Sequence, residues 1–235
     1  MKTLKRLGPA VVIVVLMLVG ASLQNQKPTA WIQEVRALPS KQKVLPKATA
    51  TVFLDAGHGA IDSGMIPVSG DYEKDVNLDL VLRIGEILEA NSVEVSYSRT
   101  SDVPLGNSSV ADLQNRIDMS IAANAELFVS IHCNASEQAT RSGFEIYTDP
   151  NDRIAYSLSE NIAEKLESVD YTQNNGIIDA TELLHLVVFA RVPTALVEVG
   201  YLDNESDNSF IQSEQGRQKI AEAIANGILT KINES

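Results

Sequence analysis

TVFLDAGHGAIDSGMIPVSGDYEKD, residues 51–75, opens with the apolar run Val52-Phe53-Leu54, which has the composition and length of a buried strand. The run stops at Asp55-Ala56-Gly57-His58-Gly59. Two glycines flank a histidine, so the backbone can bend sharply and the imidazole can project from a strand end. A loop rich in Gly, Pro, Ser and Asp follows and ends at Glu73-Lys74-Asp75, where a helical pattern starts. A histidine at a strand end and a glutamate on the next loop can meet in space, and such a pair begins a metal site.

Working outward, the elements alternate. Val76–Leu88 carries apolar residues at helical spacing, with Asp75 expected as its N-cap. Val93–Tyr97 alternates like a strand, and Ala111–Ala123 reads as a helix with Leu113, Ile117 and Ile121 on one face. Leu127–His132 is a second continuous apolar strand, and Phe144–Tyr147 a shorter, alternating one. Ile154–Leu166 reads as a helix, Leu183–Phe189 and Ala195–Val199 as strands, and Ile220–Ile232 as a closing amphipathic helix. This order predicts an α/β fold: one domain with a mostly parallel twisted sheet covered by helices on both faces. In such sheets, sites gather at the carboxyl ends of the strands.

Composition bounds the rest. The chain has 235 residues, 44% of them hydrophobic, enough for one well-cored domain plus extras. The net charge of -12 is uneven: residues 1–50 hold eight Lys/Arg against Glu34, about +7, which leaves about -19 on residues 51–235. An acidic domain is a poor partner for nucleic acid. A single cysteine, Cys133, excludes an intrachain disulfide and any CxxC metal site. Lys2, Lys5 and Arg6 precede the apolar run Ala10–Val19, and Val19-Gly20-Ala21 supplies small residues after it. Residues 1–21 therefore read as a signal peptide or membrane anchor, 22–50 as a polar, basic linker, and 51–235 as the catalytic-size domain. The expectation is an exported protein of the cell envelope, either secreted or held on the outer face of the cytoplasmic membrane, with membrane contact only through the N-terminal segment.

Four residues stand at or beside the expected strand ends: His58 after the first strand, Glu73 in its loop, His132 at the end of the third and Glu198 at the end of the last. Two histidines and a carboxylate with an open fourth position are the ligand set of a catalytic zinc, and a further carboxylate beside the attacking water serves as general base. Each residue has a plainer reading. His58 can cap a turn, His132 can be a satisfied strand-end histidine, and Glu73 can serve the helix dipole. Glu198 follows three apolar residues, where an unpaired carboxylate is costly, so it asks for a partner. His185 reads as a structural or pocket-lining residue within a strand. Cys133 reads as a small buried hydrophobe, facing away from His132.

The ordered segments DAGHG, YEKDVNLDL, SRTSD, LQNR, FVSIHCNA and PTALVEVGYLDN resemble the zinc-dependent N-acetylmuramoyl-L-alanine amidases of bacterial cell-wall turnover, over Thr51 to about Ile232. The layout of a short export segment and one bare domain is most similar to the spore-cortex branch. The resemblance implies one Zn2+ held by His58, Glu73 and His132, with Glu198 as catalytic glutamate. It implies peptidoglycan as substrate and cleavage of the amide between the lactyl group of N-acetylmuramic acid and L-alanine. It places Asn134 and Arg116 in substrate positioning or ligand orientation, and gives Arg99 and Asp102 a role in holding the loop. Three departures stand out. Ala56 occupies a position that is often proline in relatives, and Val188 one that is often arginine, with Arg191 nearby. Tyr147–Asp152 leaves no room for an inhibitory helix found in some relatives, so control should come from location or from an activator or tethering protein. The competing readings are another zinc peptidase, such as a carboxypeptidase, and a non-catalytic wall-binding protein.

Overall fold

The computed structural model describes residues 50–136 and 140–234. The expected export segment and nearly all of the linker lie outside the described residues. Among the described residues, no helix is long and apolar enough to cross a membrane.

The first strand, β1 (Thr51–Ala56), is buried along its whole length, as a strand covered on both faces must be. Helix α1 (Glu73–Ala90), β2 (Glu94–Tyr97), α2 (Ser109–Ala122) and β3 (Leu127–Asn134) follow. Then come β4 (Phe144–Thr148), α3 (Arg153–Glu167), β5 (Asn174–Asp179) and α4 (His185–Phe189). The described chain closes with β6 (Thr194–Tyr201), α5 (Glu205–Ile211) and α6 (Glu214–Asn233). The six strands form one sheet in the order β2-β1-β3-β6-β4-β5. β1, β2, β3 and β6 run parallel; β4 lies antiparallel to β6, and β5 parallel to β4. The expected mostly parallel α/β sheet is thus present, with β4 and β5 reversed. This reversal has a consequence for the site: the amino end of β4 lies at the same sheet edge as the carboxyl ends of β1, β3 and β6.

Alternation along the strands divides the side chains between two unlike faces. Val52, Leu54, Ala56, Val129, Ile131, Cys133, Ile146, Val197 and Val199 join the large apolar core, with Leu80, Ile84, Leu158, Ile162, Ile220 and Ile224 from α1, α3 and α6. The opposite face holds a small cluster, Phe53, Phe128 and Leu186, under α2 and α4. Phe53 and Phe128 meet edge to face at 5.1 Å. Beyond this cluster the same face carries Asp55, Ser130, His132, Asn134, Glu145 and Glu198.

Several expected elements differ. Leu183–Phe189 is not a strand: His185 begins α4, and its ring packs on Phe189 one turn later at 4.2 Å. A short apolar run cannot distinguish the two by itself, and only Leu186 and Val187 of this one are buried. Asp75 is not the N-cap, because α1 begins at Glu73 with Tyr72 at the cap. The two acids of the first turn suit the helix dipole there without capping. Ile121, expected on a buried face of α2, is exposed, because α2 covers only the small cluster and buries just Ile117 among its apolar residues. Strand β5 is polar and half-exposed at the sheet edge, and α5 is short and capped by Asn204, so neither carries a strong apolar period. Glu198 is not a strand terminus, since β6 continues to Tyr201 beside β3. Likewise β3 runs through His132 to Asn134.

The small cluster has few members, so it has little capacity to re-pack around a void. Phe128→Ala should cost about 3–5 kcal/mol, read as a lower urea midpoint with an unchanged slope.

Candidate active site

The site is built on the chain leaving β1. Asp55, fully buried, pairs with Arg116 of α2, whose Nη1 donates to Asp55 Oδ1 at 2.5 Å. The same guanidinium donates to the carbonyls of Ala56 (2.8 Å) and His58 (2.9 Å) and to Asp112 Oδ1 (2.7 Å). Arg99 donates to the carbonyls of Ala56 and Gly57, both at 3.0 Å, and to that of Lys74 at 2.7 Å. Ser130 hydroxyl completes the shell by donating to Asp55 Oδ2 at 2.7 Å. Three successive carbonyls at a strand end therefore find donors in two buried arginines, as buried backbone requires. Burial opposes the charge on Asp55, but Arg116 first, then the hydroxyls of Ser98 and Ser130, hold its carboxyl below the usual range.

This clamp holds His58 in left-handed backbone, φ 62°, a conformation that costs a non-glycine residue energy. Its neighbours explain the glycines. A Cβ on Gly57 would fall on the His132 imidazole, and one on Gly64 would lie 2.5 Å from Glu73 Oε2 and 2.7 Å from the His58 ring. Both positions must lack a side chain for the three residues to approach.

His58, Glu73 and His132 bring one ligand atom each to within 4.8 Å of one another. His58 Nε2 and His132 Nδ1 both lie 3.1 Å from Glu73 Oε1, and the two rings meet edge to face at 5.0 Å. Glu73 is further fixed by the amides of Met65 (2.7 Å, to Oε2) and Cys133 (3.1 Å, to Oε1), and by Asn77 Nδ2 (3.3 Å). Asp62 Oδ2 sits 2.9 Å from His58 Nδ1 and turns the other nitrogen toward Glu73. Burial disfavours a charged His58, but Asp62 and Glu73 outweigh it and raise its pKa to about 10. Metal-free, His58 thus carries a proton at neutral pH, and it must release that proton to serve as a ligand.

Glu198 stands beside this group, its Cα paired with that of His132 across β3 and β6. Burial, then the charge of Glu73, push its carboxyl well above the usual range. Its Oε2 is buried with no hydrogen-bond partner among the described residues. Among the described residues, Asn134 and Arg116 make no hydrogen bond with the side chains of these four. Arg116 reaches the site only through the backbone of His58. Asn134 donates its Nδ2 to Glu145 Oε2 at 3.1 Å. Arg99 and Asp102 brace the loop: Asp102 accepts from the Ala60 amide (2.6 Å) and from Lys74 Nζ (2.5 Å). Cys133 is buried on the opposite face, in the large core.

Sequence reasoning missed Asp62 and Glu145. Asp62 lies four residues after His58 in a loop of many polar residues. Glu145 is the one charged residue in FEIYT and was readable only as a carboxylate in an otherwise apolar strand.

The profile of the N-acetylmuramoyl-L-alanine amidase family matches residues 52–230. The chain belongs to this family. It is 34% identical over 187 residues to the N-acetylmuramoyl-L-alanine amidase LytC of Bacillus subtilis (strain 168), covering 79% of this chain and 36% of that protein. It is 30% identical over 203 residues to the germination-specific N-acetylmuramoyl-L-alanine amidase of the same organism, covering 81% of this chain and 83% of that one. Among solved structures, the CwlD amidase from Clostridioides difficile, determined in complex with the GerS lipoprotein, superposes with a TM-score of 0.74 at 31% identity, over 80% of this chain and all of that one. The chain thus spans about a third of one curated relative and most of the other.

Asp62→Ala should weaken metal binding by about 10- to 100-fold with the fold retained, measured by competition with a chromogenic chelator. Asp55→Asn, which removes the buried charge facing Arg116 but leaves it Asp112 and the two carbonyls, should cost about 1.5–3 kcal/mol at pH 7. A depressed carboxyl contributes stability above the unfolded pKa of about 3.9 and loses it as pH falls through the folded value. The gap in urea midpoint between wild type and Asp55→Asn should therefore shrink as pH is lowered from 5 toward 3, because only the wild type has this stability to lose.

Proposed function

We propose that this family member hydrolyses the amide between the lactyl group of N-acetylmuramic acid and L-alanine in peptidoglycan, with one zinc ion held by His58, Glu73 and His132. The observation that carries the reading is the unpartnered, buried Oε2 of Glu198 beside a convergent His-Glu-His set. The donor set fits zinc. Two of the three donor separations, 3.1 Å each, are close to the roughly 3.4 Å between tetrahedral N and O donors about 2.1 Å from one ion, and all three ligand atoms lie within 4.8 Å of one another. When bound, zinc supplies polarisation of the amide carbonyl and a lowered pKa for the attacking water.

The chain's own residues supply the rest. The clamped β1 end and Asp62 orient His58, and the Met65 and Cys133 amides orient Glu73. Glu198 takes the proton of the attacking water as the new C–O bond forms. It then gives that proton to the amide nitrogen as the C–N bond breaks, releasing a free α-amine on L-alanine. Burial and the charge of Glu73 raise the Glu198 carboxyl, which favours its return of the proton to the amide nitrogen, and a cation held by the neighbouring ligands would favour the ionised form that accepts the proton first.

Action in the cell envelope, reached through the signal or anchor at residues 1–21, agrees with this substrate. The short link Asp149–Asp152 between β4 and α3 has no helix in it, which supports control by location or by a partner. The lipoprotein bound to the structural neighbour is consistent with a tethering or activating protein. A role in spore-cortex modification is part of the same proposal, supported by the germination-specific relative.

Purified protein incubated with peptidoglycan should release stem peptides with L-alanine at the N-terminus, seen by mass spectrometry, and a chelator should abolish the release. Glu198→Gln should keep about one zinc and lose at least about 10²-fold in rate; full activity in this variant would remove the general base. His58→Ala should lose zinc, and unchanged zinc affinity would refute the ligand set.

A further inference from the structure

The three residues of the metal-binding group sit on three separate chain segments, and one buried side chain touches all three segments. Asn77, in the second turn of α1, is fully buried. Its Nδ2 donates to Glu73 Oε1, one turn earlier, and to the carbonyl of Gly57, the residue before His58, both at 3.3 Å. Its Oδ1 accepts from the thiol of Cys133, the residue after His132, with Sγ at 3.6 Å. Cys133 also donates its amide to Glu73 Oε1 at 3.1 Å. Glu73, Asn77 and Cys133 therefore close a ring of hydrogen bonds, and Asn77 extends it to the strand end that carries His58.

Chemistry fixes the amide in this orientation. The Gly57 carbonyl and the Glu73 carboxylate only accept, so the nitrogen of Asn77 must face them, and its oxygen then faces the Cys133 S–H. A thiol is a weak donor, but it stands where an apolar side chain would leave Asn77 Oδ1 buried and unsatisfied. The amide is also out of place for packing alone. It lies on the buried side of α1 with Val76, Leu80, Val81 and Ile84, where a polar group is costly unless its bonds do something that an apolar residue cannot.

What these bonds supply is direction. The ladder between β1 and β3 fixes the two histidine segments against each other. Helix α1, which brings Glu73, meets those strands through apolar side chains, and such contact is non-directional. Distances to a metal tolerate only about 0.2 Å, so the helix needs directional ties to the strand ends. Arg99 makes one, from the Lys74 carbonyl to that of Gly57. Asn77 adds one to Gly57 and one to Cys133 while also holding Glu73 Oε1.

We propose that Asn77 is a positioning residue of the metal site: it sets Glu73 against the segments carrying His58 and His132, and the Cys133 thiol holds its amide in the working orientation. This role rests on the zinc site proposed above. The test measures zinc affinity of the purified full chain by competition with a chromogenic chelator and, separately, the urea midpoint of the metal-free protein. Asn77→Ala should bind zinc about 10- to 100-fold more weakly. Cys133→Ala should lose at least about threefold, the scale of one weak hydrogen bond. Cys133→Ser, whose hydroxyl donates to the same oxygen, should return to within about twofold of wild type. A merely structural role predicts another order, because a hydroxyl buried in the core leaves Cys133→Ser no more stable than Cys133→Ala. In the Asn77→Ala background the loss from Cys133→Ala should vanish, since the amide that the thiol orients is gone. Unchanged zinc affinity in Asn77→Ala, or a Cys133→Ser that binds zinc no better than Cys133→Ala, overturns the role. Should Asn77→Ala fail to fold, the two Cys133 variants decide it alone. A wild type that binds no zinc overturns the metal reading and this role with it.

Discussion

The buried pair of Asp55 and Arg116 is the constraint from which the site follows. A strand that ends in a sharp turn leaves carbonyls pointing away from the sheet, and buried carbonyls need donors. Arg116 and Arg99 serve those of Ala56, Gly57 and His58, and Asp55 keeps Arg116 in place by charge. A buried ion pair is a poor source of stability, because desolvation offsets most of the attraction. Its use here is geometric. It lets His58 hold left-handed backbone and aim one nitrogen at Glu73, which a loosely hydrated loop would not sustain.

The sheet separates stability from chemistry by face. One face gives its alternate residues to a continuous apolar core under three helices. The other is only partly covered by α2 and the short α4, and its remaining positions are polar. His132 and Cys133 show the division within one dipeptide, the imidazole on the site and the thiol in the core. Because β4 is reversed, Glu145 arrives at the same edge as His58, His132 and Glu198. An all-parallel sheet would have placed the amino end of β4 at the far edge.

Much of this was legible in the chain. DAGHG after an apolar run marks a strand running into a glycine-bordered histidine, and SIHCNA and LVEVGY put a polar residue inside apolar strands, where only a partner justifies it. Helices with long apolar periods, such as α1 and α3, were equally readable. Elements held by tertiary contact were not. Leu183–Phe189 has strand-like composition, but it lies over Phe53 and Phe128, where a single helical turn buries Leu186 and a strand would have no neighbour to pair with. Arg116 was readable as a residue near the site, yet its work is done on backbone carbonyls, which no side-chain pattern announces.

By itself the sequence determined the fold class, the family and the identity of the four residues that converge, because periodicity and motif order are local properties of the chain. Only the tertiary structure decided that β4 runs backward, that Glu145 pairs with Glu198, and that Asn77 touches the segments of all three ligands. Those facts depend on strand pairing and on hydrogen bonds between residues far apart in the chain, and no local pattern encodes which strands will be neighbours.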